Sequence, residues 1–243
     1  MKTLGLVGFG QFGRLVAATL RDRFDILAHD AVDFSAEAEQ LGVDWGSLAD
    51  AASRQVVVVA VPVRAMRETF QAVAPHLQSG ALVVDVGSVK MLPVQWMLET
   101  LPKDVDIVAT HPLFGPQSAR NGLEGQRLVV CPVRGNSAVS VIRLAQELGL
   151  DPNVVKPEEH DREMAYVQAL THLIGRSLAM LNIPDEQLKT RSYQHLLDLC
   201  DLIRDDSFEL FAAIQTLNPF AAGIAQSFVE QAQALLDQVR TEH

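Results

Sequence analysis

Thr3-Leu4-Gly5-Leu6-Val7-Gly8-Phe9-Gly10-Gln11-Phe12-Gly13 runs from a short β-rich segment through a G-x-G-x-x-G turn into a helical stretch, the order found where a strand delivers a dinucleotide to a helix. Each glycine has a physical task in that context. Gly8 permits the tight turn, Gly10 lets backbone approach a pyrophosphate with no Cβ in the way, and Gly13 lets the helix pack closely on the strand. With Gln11 and Phe12 in its first turn, the helix offers free N–H groups and partial positive charge to an anion. The next β-rich run ends in Ala28-His29-Asp30, where an acidic side chain accepts hydrogen bonds from ribose hydroxyls and repels a 2′-phosphate. Arg54 is the one basic residue between Ala31 and Gln55, so NAD is expected over NADP.

From Lys2 to about Pro157, β-rich runs alternate with helical stretches, the pattern of βαβ units on a parallel sheet. Strands are expected at Thr3–Val7, Asp25–His29, Gln55–Val61, Ala81–Asp85, Asp106–Thr110, Arg127–Cys131 and Asn153–Lys156, with helices such as Gln11–Arg23, Arg64–His76 and Ser137–Leu148 between them. Most runs are unbroken Val/Ile/Leu stretches, as strands covered on both faces require. Beyond Pro157 only helical periodicity continues, broken at Asn182-Ile183-Pro184, at residues 204–206 and at Asn218-Pro219. The expected fold is therefore α/β: a Rossmann-type doubly wound sheet in a dinucleotide-binding domain, 1–157, and an all-helical substrate and dimerisation domain, 158–243. A helical segment of that size buries only a modest core alone, so a homodimer is expected.

The 243 residues are 48% hydrophobic and 21% charged, a globular composition. Asp plus Glu number 30 against 20 Lys plus Arg, and a net charge of −10 opposes a phosphate backbone, so no nucleic-acid partner is expected. No apolar run approaches the roughly 20 residues of a membrane span, and Met1-Lys2-Thr3 leads into strand-like sequence without a cleavage site; no membrane partner and a cytoplasmic location are expected. Cys131 and Cys200 lack metal-like spacing, so packing roles are expected, with neither a disulfide nor a metal.

Ligands of open α/β sheets bind beyond the carboxyl ends of the strands. Two runs end in chemistry-bearing residues there: Asp85-Val86-Gly87-Ser88-Val89-Lys90 and Thr110-His111-Pro112-Leu113-Phe114-Gly115-Pro116. Ser88 and His111 would overhang the same edge, where an imidazole can take a hydroxyl proton as an alcohol is oxidised to a carbonyl. Pro112 and Pro116 fix the loop around His111, and Ser88 is placed to orient it, whereas His29, His76, His195 and His243 read as surface or packing residues. On the first C-terminal helix, expected over Glu158–Leu181, Gln168, His172 and Arg176 recur every fourth residue beside an apolar face. That row suits a small carboxylated substrate held between the domains, and equally an ordinary solvated face.

The glycine turn, the Asp85–Lys90 segment and the His111–Pro116 segment together resemble the prephenate/arogenate dehydrogenases of tyrosine biosynthesis, over nearly the whole chain. Thr171-His172-Leu173-Ile174-Gly175-Arg176, Thr190-Arg191-Ser192-Tyr193 and Asp206-Ser207-Phe208-Glu209-Leu210 are similar to the plant-like branch, which contains arogenate-using enzymes. The resemblance implies an NAD(P)-dependent oxidative decarboxylation of a cyclohexadienol, with His111 as general base and CO₂ loss yielding an aromatic ring. It also implies that Ser88 hydrogen-bonds His111, the ring hydroxyl or the nicotinamide, and that His172 and Gln168 contact the substrate.

Where many prephenate-using relatives carry an arginine, this sequence has Leu202, with Arg204 two positions on. Asp206 fits the aspartate associated with arogenate, whose side-chain ammonium favours an anion. The same Asp206-Ser207-Phe208-Glu209 also reads as a capping box. Two alternatives stay open: a prephenate dehydrogenase giving 4-hydroxyphenylpyruvate, and a non-catalytic NAD-sensing protein, which would have no use for Ser88 and His111. A β-hydroxyacid dehydrogenase would need a lysine on the first C-terminal helix, and Glu158–Leu181 contains none. With the sequence taken up by these two domains, neither a fused chorismate mutase nor a separate regulatory module is expected.

Overall fold

Runs of Val, Leu and Ile, too apolar to leave either face in water, build the sheet: β1 (Lys2–Val7), β2 (Phe24–His29), β3 (Asp44–Trp45), β4 (Val56–Val59), β5 (Leu82–Asp85), β6 (Asp106–Pro112), β7 (Arg127–Arg134) and β8 (Asp151–Val154). The computed structural model describes residues 2–204 and 206–241. Among these the sheet has eight strands in the order β3-β2-β1-β4-β5-β6-β7-β8. Growth reverses between β1 and β4, where Val7 pairs with Val59, and the turn after β1 therefore opens onto the crevice that such a reversal creates.

β1 to β6 pair in parallel, but β7 runs antiparallel to β6, with His111 opposite Val129. The parallel, doubly wound sheet expected from the βαβ pattern is present, and this one antiparallel pair departs from it for a local reason. No crossover helix separates β6 from β7; only a short 3₁₀ turn at Ser118–Asn121 does, so the chain folds straight back along its neighbour. β3 was not anticipated, because two residues carry no periodicity; it is held by pairing to Leu27 and Ala28.

The helices of the first unit, Met1–His160, are α1 (Gln11–Leu20), α2 (Ser35–Leu41), α3 (Leu48–Ala52), α4 (Val63–Val73), α5 (Met91–Thr100) and α6 (Ala138–Glu147). One sheet face packs Leu4, Leu6, Ile26, Ala28, Val58 and Val84 against Ala17 and Leu20 of α1, with Val141 and Leu144 of α6 over the same cluster. α7 (Pro157–Met164) carries the chain into the second unit, Asp161–His243. That unit holds α8 (Thr171–Met180), α9 (Arg191–Ile203), α10 (Phe208–Leu217) and α11 (Ala221–Thr241). The single regular helix expected over Glu158–Leu181 is interrupted by a π segment at Ala165–Leu170, where Gln215 Nε2 donates to the Ala169 carbonyl at 2.7 Å. Among the described residues no helix is long and apolar enough to cross a membrane.

A buried ion pair fixes the ends of the central strands. Lys90 and Asp85 are both fully buried, and Lys90 Nζ donates to Asp85 Oδ2 and, at 2.5 Å, to the Thr110 carbonyl. Thr110 Oγ1 closes the link by donating to the Asp85 carbonyl at 2.6 Å. Removing one partner strands a charge in a dry interior, so Lys90→Met is expected to cost about 3–5 kcal/mol in denaturant unfolding. Adding Asp85→Asn to that variant should recover part of the loss, and a wild-type midpoint for Lys90→Met alone would contradict the assignment.

Candidate active site

The glycine turn is built as an anion cradle. Gly8 sits at φ +101° and donates its N–H to the His29 carbonyl at 2.8 Å. A Cβ on Gly13 would lie 2.1 Å from the Gly8 oxygen, whereas one on Gly10 would meet nothing within 4 Å. Gly10 is the N-cap of α1 and has no side chain to occupy the free amides, and the first turn carries no acid. Gln11 is exposed, and the half-buried Phe12 ring stands 6.3 Å from that of Phe114, tying the glycine turn to the loop after β6.

Asp30 engages the same turn. Its Oδ2 accepts from Phe9 N–H at 2.6 Å and its Oδ1 from Val32 N–H at 3.0 Å, so it both braces the glycine loop and starts the next turn. Each carboxylate oxygen keeps acceptor capacity for a ribose hydroxyl. Arg54 is committed elsewhere, pairing with Asp25 at 3.3 Å near the start of β2, away from Asp30 at its carboxyl end.

His111 lies one residue from the end of β6, and Ser88 three residues beyond β5; because Asp85 pairs with Ala109, both extend past the same strand edge. His111 is buried, and its Nδ1 is 2.8 Å from Nε2 of the equally buried His160 on α7. Nε2 of His111 makes no hydrogen bond among the described residues. Burial, then His160, then the Lys90 ammonium push the His111 imidazole well below its usual titration range, so it is a neutral base at pH 7. The Ser88 hydroxyl is buried with no hydrogen-bond partner. Of the partners expected for Ser88, His111 is not bonded to it among the described residues; the Nδ1 contact of His111 is to His160 instead.

His160 was missed because Glu158-Glu159-His160-Asp161-Arg162 reads as a solvated charged turn. Its signal is the helical spacing of His160 and Asp161 with Met164 and Ala165, all four buried, while Arg162 and Glu163 between them are exposed. Of the other histidines, His29 packs through Gly46 O at 3.0 Å and against Trp45, His76 and His195 are exposed, and His243 lies outside the described residues.

In the second unit, Gln168 falls in the π segment, with His172 and Arg176 following on α8. Gln168 Oε1, His172 Nδ1 and Arg176 Nε are all buried atoms without partners, which an ordinary solvated face would not show. Arg176 Nη2 donates to the carbonyls of Asp206 and Ser207, and its guanidinium lies over the Phe211 ring at 5.1 Å. Asp206 Oδ2 stands 3.7 Å from His172 Nε2. Burial lowers the His172 pKa, the Asp206 charge opposes that, and Arg176 adds to it. The capping reading of Asp206 is corrected, since Ser207 is the N-cap of α10 and its hydroxyl accepts from Leu210 N–H at 3.0 Å. Leu202 is exposed, and Arg204 pairs with Asp201 at 2.5 Å.

The family described as "Prephenate dehydrogenase, nucleotide-binding domain" matches residues 16–149, and "TYRAAT1-like, C-terminal domain" matches residues 177–242. Over 230 residues the chain is 31% identical to Arogenate dehydrogenase 1, chloroplastic, of Arabidopsis thaliana, covering 90% of this chain and 36% of that protein. Arogenate dehydrogenase 2, chloroplastic, of the same plant is also 31% identical over 230 residues, with 90% and 64% covered, so the chain spans less than two thirds of either relative. A prephenate dehydrogenase from A. aeolicus, solved in complex with hydroxyphenyl propionate and NAD+, shares the fold at a TM-score of 0.80 with 22% identity, covering 100% of this chain and 92% of that one.

The two glycines that shape the cradle should respond differently to alanine. Gly13→Ala forces backbone apart and is expected to cost about 1–3 kcal/mol of stability. Gly10→Ala should unfold at the wild-type midpoint yet weaken dinucleotide binding by about tenfold or more in calorimetric titration. Wild-type affinity in that variant would remove the turn from the nucleotide site.

Proposed function

The chain belongs to the prephenate dehydrogenase family, and from that premise we propose that it oxidatively decarboxylates arogenate to tyrosine, with NAD preferred to NADP. NAD, when bound, supplies the hydride acceptor. His111 Nε2 takes the ring hydroxyl proton as the carbinol carbon is oxidised, the electrons of the C–CO₂ bond flow into the ring, and the proton returns to the phenolic oxygen. Ser88 donates its unpartnered hydroxyl to the reacting oxygen or to the nicotinamide. Gly8, Gly10, Gln11, Phe12 and Gly13 hold the pyrophosphate, and Asp30 takes the adenosine ribose. One observation carries this reading: a buried imidazole, held neutral with Nε2 open, ends one strand while an orphaned buried hydroxyl follows its neighbour.

Gln168, His172 and Asp206 are assigned to the substrate. The orphaned Gln168 Oε1 and His172 Nδ1 have buried hydrogen-bonding capacity to satisfy. Asp206, whose Oδ2 stands 3.7 Å from His172 Nε2, would set a negative charge beside an ammonium, the group that distinguishes arogenate from prephenate. A homodimer is part of the same reading, because α11 leaves Phe228, Leu235, Leu236 and Val239 exposed as an apolar stripe that a second copy would cover.

Side-by-side kinetics on arogenate and prephenate, each with NAD and NADP, test the assignment. The expected result is the highest kcat/KM for arogenate with NAD, and a shift of about tenfold or more toward prephenate in Asp206→Asn. Preference for prephenate in the unaltered chain, or an unchanged ratio in the variant, would refute the substrate assignment.

A further inference from the structure

His160 is a buried polar side chain with no role in the chemistry described so far. It lies one turn into α7, where Pro157 starts the helix and Lys156 N–H donates to Glu159 Oε2 at 3.0 Å. The backbone N–H of His160 donates to the Lys156 carbonyl at 3.0 Å, so the residue is held at a defined height on the helix. Its side chain is 2% exposed and that of His111 is 5% exposed. The rings meet edge to face, centroids 5.0 Å apart and planes at 71°, with the 2.8 Å contact running from His111 Nδ1 to His160 Nε2.

A hydrogen bond between two imidazole nitrogens requires one to carry the proton and the other to present a lone pair. If His111 Nδ1 carries it, His111 Nε2 is a lone pair and the ring is a base. If His160 Nε2 carries it, His111 Nδ1 is the acceptor, Nε2 carries the ring proton, and the ring faces a substrate hydroxyl as a donor. The contact between the two histidines therefore selects whether the proposed chemistry is possible at all. Catalytic histidines are commonly fixed by a carboxylate or a backbone carbonyl. An imidazole acceptor fixes the tautomer as well, and adds no formal negative charge beside a ring that already lies near the buried Lys90 ammonium.

We propose that His160 is a positioning residue for the reaction: its Nε2 accepts the His111 Nδ1–H, which holds His111 in the tautomer whose Nε2 faces the substrate hydroxyl, and it keeps that bond when Nε2 gains the proton. The inference rests on His111 being the general base. His160 touches neither substrate nor cofactor in this account, so its loss shows in turnover and not in binding.

Two variants and one measurement on the unaltered protein test it. His160→Phe fills the space without an acceptor and is expected to lower kcat for arogenate by about 10- to 100-fold, the usual scale for groups that orient a ligating or catalytic histidine. KM values for arogenate and NAD should change by less than about threefold, since no bound group is touched. His160→Gln, whose Oε1 can accept the same hydrogen bond, should recover most of the lost turnover. In the unaltered protein, ¹⁵N shifts of the His111 ring should report a protonated Nδ1 and an unprotonated Nε2. Wild-type kcat in His160→Phe, no recovery with glutamine, or a proton on Nε2 of His111 would each overturn the proposal. His111→Asn is the control that separates the two ideas: if it retains turnover, the base assignment itself falls, whereas its inactivity beside a fully active His160→Phe removes His160 alone.

Discussion

The ammonium of Lys90, buried without access to water, is the constraint around which the nucleotide-binding unit is arranged. Such a charge persists in a dry interior only if it is paired and hydrogen-bonded, and Asp85 and the Thr110 carbonyl provide both. These partners lie on neighbouring strands, so satisfying the charge locks the carboxyl ends of β5 and β6 together. Ser88 follows one of those ends and His111 completes the other. The geometry of the proposed chemistry is thus inherited from a stability requirement.

The same charge has an electrostatic consequence. Burial is the largest influence opposing protonation of His111, and the Lys90 charge acts in the same direction. A group that must accept a proton gains from being neutral and available, and the low-dielectric surroundings that enforce neutrality also strengthen its hydrogen bonds. At the other end of the cofactor path the logic reverses. Gly10 leaves open space and unoccupied amides, while Asp30 supplies negative charge and Arg54 is withdrawn to Asp25. This distribution of charge is what the proposed preference for NAD over NADP rests on.

Much of this was legible in the order of residues, and what was not has identifiable causes. Runs such as Val56–Val59 declare a strand buried on both faces, and the glycine turn declares its helix. The direction of β7 was not legible, because an antiparallel Leu-Val-Val run reads like a parallel one, and direction is set by the short connection before it. The π segment escaped because its disturbance lies in backbone pairing while its residues look like an ordinary helix. Asp206 and Ser207 are both good caps, and only coordinates show that Ser207 takes the role. His160 escaped for a related reason: acidic and basic neighbours masked a side chain whose burial is created by residues far away in sequence.

The central claim, that a buried imidazole kept neutral by its surroundings is the base, is tested most directly by kcat/KM for arogenate as a function of pH at saturating NAD. Such a profile reports the base in the enzyme before arogenate binds. A histidine whose pKa is pushed below its ordinary value of 6.5 retains its lone pair into acid, so the acidic limb should fall well below pH 6.5, with activity level from pH 7 down through that value. An acidic limb centred at or above pH 6.5 would contradict the account.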